Sequence, residues 1–416
     1  MLCPLLATRV LLPLGKNLFL DAVNLHPGSG PQNALHQVPV ILIKEMTVAG
    51  LIHLPSLDSL RHHAHLWNDL WWRSDISCPT ARAEHLVQWV EEFAAQSRFH
   101  AVAVTQNNRW VAAFPLVETR GLPWTKVAHL PANTWSSGSS LLLDPQCNVE
   151  QAVDMLVEGL AETAWPLLWL DDLRLDTPYT EAMRSGFARA AMPTSILERY
   201  HVAQLAIVGG WEEFAQDFPK VMKKNLRQAV RRALDFGKLG FKVHTSFTTA
   251  EVEPLLHRGF LVEDNSWKGR RGTSVLSAGM YPFYLRQAQQ LACDGQLHLA
   301  FLEIDERPAA FAYAAFAKGI YHGCKVGYDE AFARCSPGLL LEEHLFRHLW
   351  DHGGCRAVDF MGYLTKAQHA WLPGTYPVGR IVVAPHRKLL SRILVHAHER
   401  WWPSIRQLRR RFRGLL

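Results

Sequence analysis

The sequence predicts an α/β protein made of two copies of one unit, and three observations carry this. Phe99–Glu118 reads as a hairpin around Gln106-Asn107-Asn108, and Gln296–Phe316 as another around Asp305-Glu306-Arg307-Pro308. A helical stretch precedes each hairpin, ending at Gln96 and at Cys293. A helix and a buried strand follow each: Val149–Thr163 with Pro166–Leu170, then Leu339–His352 with Arg356–Phe360. The order of elements repeats although the residues differ, as expected of a duplicated unit.

A chain of 416 residues, 48% of them apolar, has room for two or three domains with sizeable cores. Its seven cysteines are scattered without a C-x-x-C pair. No disulfide or zinc framework is visible, and a reducing, cytosolic setting is expected. No stretch approaches about 18 uninterrupted apolar residues, so no spanning helix is expected. The net charge of +6 is concentrated at one end: from Arg387 onward there are nine Lys or Arg and one acid, Glu399. A globally basic, nucleic-acid-binding surface is therefore disfavoured.

Residues 1–50 read as a leader, either disordered or a mis-assigned start, with Met46 a second candidate start. The first unit spans 51–205. It contains helices Leu57–Trp72 and Ala81–Gln96, the first hairpin, a run Lys126–Leu130 and a small-residue loop Asn133–Ser140, and its strand ends in Asp171-Asp172. The second unit spans 206–383 and opens with Trp211–Gly240, mostly one helix. There Lys220, Lys224, Arg227 and Arg231 stack on one face, with Met222, Leu226, Ala229 and Ala233 opposite. The basic stripe is either a solvated surface or a clamp for an anionic ligand. Helix Thr249–Val262, a polar loop Glu263–Thr273 and helix Tyr281–Cys293 lead into the second hairpin, after which Ile320–Tyr328 is a third β-prone run. In the tail, 384–416, Trp401, Trp402 and Phe412 interleave with arginines. That mixture suits an anionic membrane surface, a partner or plain solvation.

Ser336-Pro337-Gly338 opens the helix of the second unit with Ser at the N-cap and Pro in the first turn. It is either an ordinary capped helix or a seat for a diphosphate on the amides of Gly338, Leu339 and Leu340, with Arg334 beside it. The first unit has Asp144-Pro145-Gln146-Cys147 in that position. His344, His348 and His352 recur at helical spacing, but no HExxH accompanies them and no metal is expected.

The runs EDNSWKGRRGT (Glu263–Thr273), KVGYDEAFARCSPGLLL (Lys325–Leu341) and DFMGYLTKAQHAW (Asp359–Trp371), with Phe283-Tyr284, resemble CelD/BcsL-type proteins of the GNAT acyltransferase superfamily. These are bacterial proteins associated with cellulose or exopolysaccharide biosynthesis. The basic helix Lys220–Gly237 and the segments Trp67–Trp71 and Phe114–Leu116 are similar as well, so the resemblance spans roughly Ser56–Val383. The family is also similar to Fem-type transferases, which pair two GNAT units in one chain.

The resemblance implies two tandem GNAT-like units with mixed, mostly antiparallel sheets flanked by helices. It implies N-acyl transfer from a thioester, acetyl-CoA, to an amine of a sugar or polysaccharide precursor, with no metal. The loop Phe332–Gly338 holds one Gly and one Arg where GNAT phosphate loops are glycine-richer. A Fem-like aminoacyl-tRNA donor is the alternative, and a membrane-docked scaffold a third reading.

Attack of an amine on a thioester needs a base, a polarised carbonyl and a stabilised thiolate. Candidate bases are Glu263, on the polar loop, and Asp359, at a strand end; Tyr328 is placed to protonate the thiolate. Each has a structural alternative: a salt bridge to Lys268, a strand-end cap and a core ring. Backbone amides beside Gln296–Ile304 are the candidate carbonyl polarisers. Trp267, Lys268, Lys325, Lys224 and Arg227 are the expected substrate contacts.

Overall fold

Asn107 and Asn108, and Asp305 and Glu306, all adopt positive φ (51°, 64°, 46° and 64°), as mirror-image two-residue hairpin turns require. Both hairpins therefore form, the second with a tighter turn than the Pro308 signal suggests. The structure is a computed structural model that describes residues 49–122, 125–137, 140–385 and 391–396. The leader before residue 49 and most of the basic tail lie outside the described residues.

The first half runs β1 (Ala49–Leu54), α1 (Leu57–His62), α2 (Ala64–Arg73), α3 (Ala83–Phe93), β2 (Phe99–Gln106), β3 (Arg109–Leu122) and β4 (Thr125–His129). It continues through β5 (Leu142–Leu143), α4 (Val149–Ala161), β6 (Leu168–Arg174), α5 (Pro178–Arg189) and β7 (Thr194–Ala206). The second half runs α6 (Trp211–Gln216), α7 (Lys220–Leu234), β8 (Leu239–His244), α8 (Thr249–Asp264), α9 (Trp267–Arg270) and α10 (Tyr281–Cys293). Then come β9 (Leu297–Ile304), β10 (Arg307–Ala317), β11 (Ile320–Tyr328), a 3₁₀ turn (Glu330–Cys335), α11 (Pro337–Asp351), β12 (Ala357–Tyr363), α12 (Lys366–His369) and β13 (Gly374–Val383). The helix expected to fill most of Trp211–Gly240 forms as α7, and the short α6 precedes it, set apart by Phe218 and Pro219. Pro219 is tolerated at the second helix's cap, where no N–H is needed.

One sheet of thirteen strands runs through both halves, in the order β1-β2-β3-β4-β6-β13-β7-β12-β11-β10-β9-β8 with β5 on β3. Most pairs are antiparallel; β4–β6 and β11–β12 are parallel. The last strands are exchanged: β13, from the second half, pairs with β6, and β7, from the first, pairs with β12.

Helices cover both faces. In β10, Ala310, Ala312 and Ala314 pack toward α7 and α11, while Phe311, Tyr313 and Ala315 pack toward α8 and α10. This is the period-two alternation of a strand buried on both sides. The predicted apolar face of α7 docks as expected: Met222, Ala229 and Ala233 are buried and Leu226 packs against them. Among the described residues, no helix is long and apolar enough to cross a membrane.

Candidate active site

The site forms where β11 and β12 part. They pair only at Ile320–Ala357, Tyr321–Val358 and His322–Asp359. On its other side β11 bulges at Cys324, since Tyr313 faces Lys325 and Ala314 faces Gly323. Past His322, then, no strand among the described residues pairs with the β12-side edge of β11, where Lys268 Nζ takes the Val326 carbonyl. This corrects the expectation for Gln296–Ile304: β9 is paired on both sides, so its amides are already taken. The open backbone belongs to β11.

The split opens a cleft lined by Ala312, Gly323, Lys325, Glu342, Leu345 and Phe360. It shares Gly323, Lys325 and Phe360 with a second cavity that reaches Trp135, Cys78 and Met361. Cys78, Ser137 and Met361 in turn line a third, between the halves, with Asp172, Arg174, Tyr200, His322, Asp359 and Tyr376 around it. The three form one path from α11, through the split, to the inter-half pocket.

Lys325 stands at the junction. Its ammonium lies 4.9 Å from the Trp135 ring and 5.4 Å from Tyr284, both cation–π distances. Burial pushes its pKa down, with Glu263 pulling the other way. Glu342, on α11, accepts from Trp371 Nε1 at 2.8 Å. Desolvation raises its pKa to about 7.

In the inter-half pocket, two carboxylates each meet a tyrosine from an exchanged strand. Tyr376 on β13 donates to Asp359 Oδ2 at 2.8 Å, and Tyr200 on β7 to Asp172 Oδ1 at 3.1 Å. Asp359 Oδ1 also accepts the Met361 amide at 2.8 Å. Burial first, and Asp171 second, raise the pKa of Asp172. Asp172 (φ 58°) and Met361 (φ 57°) hold left-handed backbone at the same place, two residues before the last, in the equivalent strands β6 and β12. Such conformations cost of order 1 kcal/mol or more and gather at functional sites. Arg174 lies 4.1 Å over the Tyr376 ring. From the first half, the loop after α2 is pinned by Lys318, whose Nζ donates to the carbonyls of Trp71, Ser74 and Ile76.

One turn before the α11 residues that line the path, the 3₁₀ turn leads into α11. Ser336 is left-handed (φ 53°) and its side chain makes no cap, unlike the expected N-cap serine. Its carbonyl takes the amides of Leu339 and Leu340 at 3.0 and 3.3 Å. Those two amides are thus not free for an anion. Among the described residues, Gly338 is left as the first-turn amide without a backbone acceptor. A Cβ there would meet only Tyr328, at 3.8 Å. Arg334 is exposed, and its carbonyl accepts from Arg232 of α7 at 3.4 Å.

The sequence-derived candidates separate into groups. Asp359 and Lys325 line the path, whereas Arg334, Ser336, Gly338 and Tyr328 lie around the start of α11 and line none of the three cavities. Tyr328 is six residues along β11 from His322, the partner of Asp359, or roughly 20 Å on an extended strand. Tyr328 and Asp359 therefore do not meet at one reacting centre. Glu263 lines none of the three cavities. It is buried, accepting from Lys268 Nζ at 2.9 Å and the Val275 amide at 3.0 Å, the salt-bridge alternative foreseen for it. Lys268 also donates to the Val326 carbonyl at 2.7 Å, and Trp267 is exposed under Arg271. Lys224 and Arg227 are exposed on α7. Among the described residues, no group of three His, Cys, Asp or Glu is placed to hold a metal ion, the α11 histidines included.

Sequence reasoning missed His322, Asp172, Tyr200 and Tyr376. The Asp171-Asp172 pair that closes the first unit's expected strand was the available signal for Asp172.

Residues 220–377 match the family described as an acetyltransferase (GNAT) domain. No curated protein matches the sequence. Among solved structures, FemX is similar over 80% of this chain and 96% of its own, at 11% identity and a TM-score of 0.54. A tandem GNAT protein from the clavulanic acid biosynthesis pathway covers 82% of this chain and 100% of its own, at 13% identity and a TM-score of 0.42. A protein of unknown function from Bacteroides thetaiotaomicron covers 79% and 97%, at 11% identity and a TM-score of 0.47. The fold is one mixed, mostly antiparallel sheet flanked by helices, and the GNAT-domain match lies in its second half.

Proposed function

We propose that this acyltransferase moves an acyl group, in the first place acetyl, from coenzyme A to an amine of a sugar or polysaccharide precursor by direct attack. The observation that carries the reading is the continuous path from the middle of α11, at Leu341, Glu342 and Leu345, through the β11–β12 split, to the inter-half pocket, with the start of α11 one turn before it. The diphosphate is assigned to the Gly338 amide and Arg334, and the pantetheine arm to the β12-side edge of β11. The thioester carbonyl then lies by Lys325, whose positive charge, with β11 amides, stabilises the developing oxyanion. The amine enters from the inter-half pocket. Its carboxylates and tyrosine, threonine and serine hydroxyls suit a polyhydroxylated amine. The likeness of Glu263–Thr273, Lys325–Leu341 and Asp359–Trp371 to CelD/BcsL-type proteins supports exopolysaccharide as the setting. Contact of the tail with the inner face of a membrane belongs to the same reading.

Calorimetry with acetyl-CoA, CoA and a dephosphorylated control tests the donor. Binding that Arg334→Ala and Gly338→Glu both lose supports it. No binding to the unaltered protein overturns it.

A second reading has one observation behind it: α7 presents Lys220, Lys223, Lys224, Arg227 and Arg231 exposed, and packs beside the 3₁₀ turn. That surface would suit the phosphates of an aminoacyl-tRNA donor. Gel shifts with charged tRNA on Lys224→Glu/Arg227→Glu decide it.

A further inference from the structure

We infer that His322 accepts the proton of the incoming amine while Asp359 holds that amine as an ammonium ion; this rests on the acyl-transfer reading above. The two residues form the last rung before β11 and β12 part, and both line the inter-half pocket.

His322 is 2% exposed, and its Nδ1 lies 3.4 Å from Met361 Sδ. A thioether sulfur only accepts, so this contact favours the tautomer with the hydrogen on Nδ1 and the lone pair on Nε2, and the Ser77 backbone is the ring's other acceptor. Among the described residues, Nε2 has no hydrogen-bond partner. It is a buried acceptor in the wall of the pocket, and such atoms are rare unless something binds them.

Asp359 complements it. Each of its oxygens holds one neutral donor, Tyr376 or the Met361 amide, and among the described residues no cationic side chain pairs with it. A buried carboxylate without a cation is costly, and an ammonium group supplies the missing charge. The other charged groups around the pocket are Asp75 from the loop after α2 and Asp172 and Arg174 from β6, with the thiols Cys78 and Cys324 nearby. Burial holds the pKa of His322 below the ordinary histidine value, while Asp359 and the Ser77 backbone favour the protonated ring. The ring is thus neutral before transfer and supported after it.

The protons balance. One proton of the ammonium passes to His322 Nε2. The nitrogen lone pair forms the N–C bond, and the C–S bond breaks. A second proton leaves nitrogen and ends on the thiolate, giving free CoA. His322 then releases its proton to solvent.

The test uses the full chain with glucosamine as acceptor and two readouts. The first is ¹⁵N NMR of the histidine rings, with His322 assigned by comparison with His322→Gln. The expected spectrum at neutral pH is a neutral ring protonated at Nδ1; an Nε2–H tautomer or a charged ring overturns the proposal, whatever acceptor the enzyme uses. The second is CoA release. His322→Gln should lower kcat/KM for glucosamine by about 100-fold or more and remove the acid limb of its pH profile. Acetyl-CoA binding by calorimetry should stay unchanged. A variant that keeps both rate and acid limb overturns the role of His322. Loss of acetyl-CoA binding in the unaltered protein sinks the donor reading instead, and the ring spectrum still decides the tautomer claim.

Discussion

The hydroxyl of Tyr376 reaches Asp359 Oδ2 at 2.8 Å across an intervening strand, since β7 lies between β13 and β12. The bond ties an exchanged strand to the pocket carboxylate. Tyr376→Phe leaves that oxygen without its donor. The expected loss is about 1 kcal/mol in urea unfolding, the net worth of one such bond. If Asp359 holds the amine, KM for the acceptor should shift more than kcat. An unchanged KM would remove Asp359 from acceptor binding.

Glu342 gives a pH signature. Its pKa in the folded chain is raised to about 7 by desolvation, against an ordinary carboxylate value when unfolded. The folded state therefore binds the proton more tightly. This stabilisation is complete below pH about 4.5 and is lost as pH rises toward about 7. Glu342→Gln keeps an acceptor for Trp371 Nε1. It should raise stability above pH 7 by on the order of 1–3 kcal/mol and leave it unchanged near pH 4. Denaturant midpoints at the two pH values check this; equal gains at both would show that Glu342 does not titrate in that window.

Lys318 is expected to act on the pocket wall rather than on the donor. Its ammonium serves three carbonyls at the end of α2 and in the loop that follows. Lys318→Met leaves them without this donor, at about 2–4 kcal/mol in total. Hydrogen exchange at residues 74–78 should quicken and acceptor KM rise, with acetyl-CoA affinity unchanged. Unaltered exchange in that loop would contradict the pinning role.

Glu263 separates structure from catalysis. Both its oxygens are engaged in holding α9 and the following loop to the end of α8. Glu263→Gln should lower stability by about 2–4 kcal/mol, as loss of a buried ion pair does. Below its melting transition kcat should remain. A rate loss of about 100-fold in the folded variant would restore Glu263 as the base.

What was legible in the sequence was local. Hairpins, helix faces and the repeat are set by residues a few positions apart, and the apolar stripe of α7 and the turn at Asp305-Glu306 formed as read. The pocket was not legible because it is made by long-range pairing. Tyr200, Tyr376 and His322 carry no local mark of a site. The strand β13 contains Pro377 and Gly379, residues that argue against a central strand; the sheet accommodates them with an irregular register beside Val378 and Gly379. Asp359 was visible as a strand end, but its partners came from other elements.

The exchange of β7 and β13 makes the last prediction. A boundary at residues 205/206 divides the chain between two repeats, yet neither repeat keeps its own final strand. β7 pairs with β13 from Thr194–Val383 to Gln204–Gly374, and β13 supplies Ile381 and Val383 to the first half's core. Each such side chain contributes about 2 kcal/mol by burial. A fragment of residues 49–206 would lose those contacts and expose the edges of β6 and β7, which favours aggregation. It should therefore show no cooperative unfolding transition by itself. Co-expressed with residues 207–416, it should copurify as a folded complex, because the missing strand then comes from the partner fragment. A soluble, cooperatively folding 49–206 fragment would show that the first half closes its sheet without β13, and that the exchange is a consequence of linking the repeats rather than a condition for folding them.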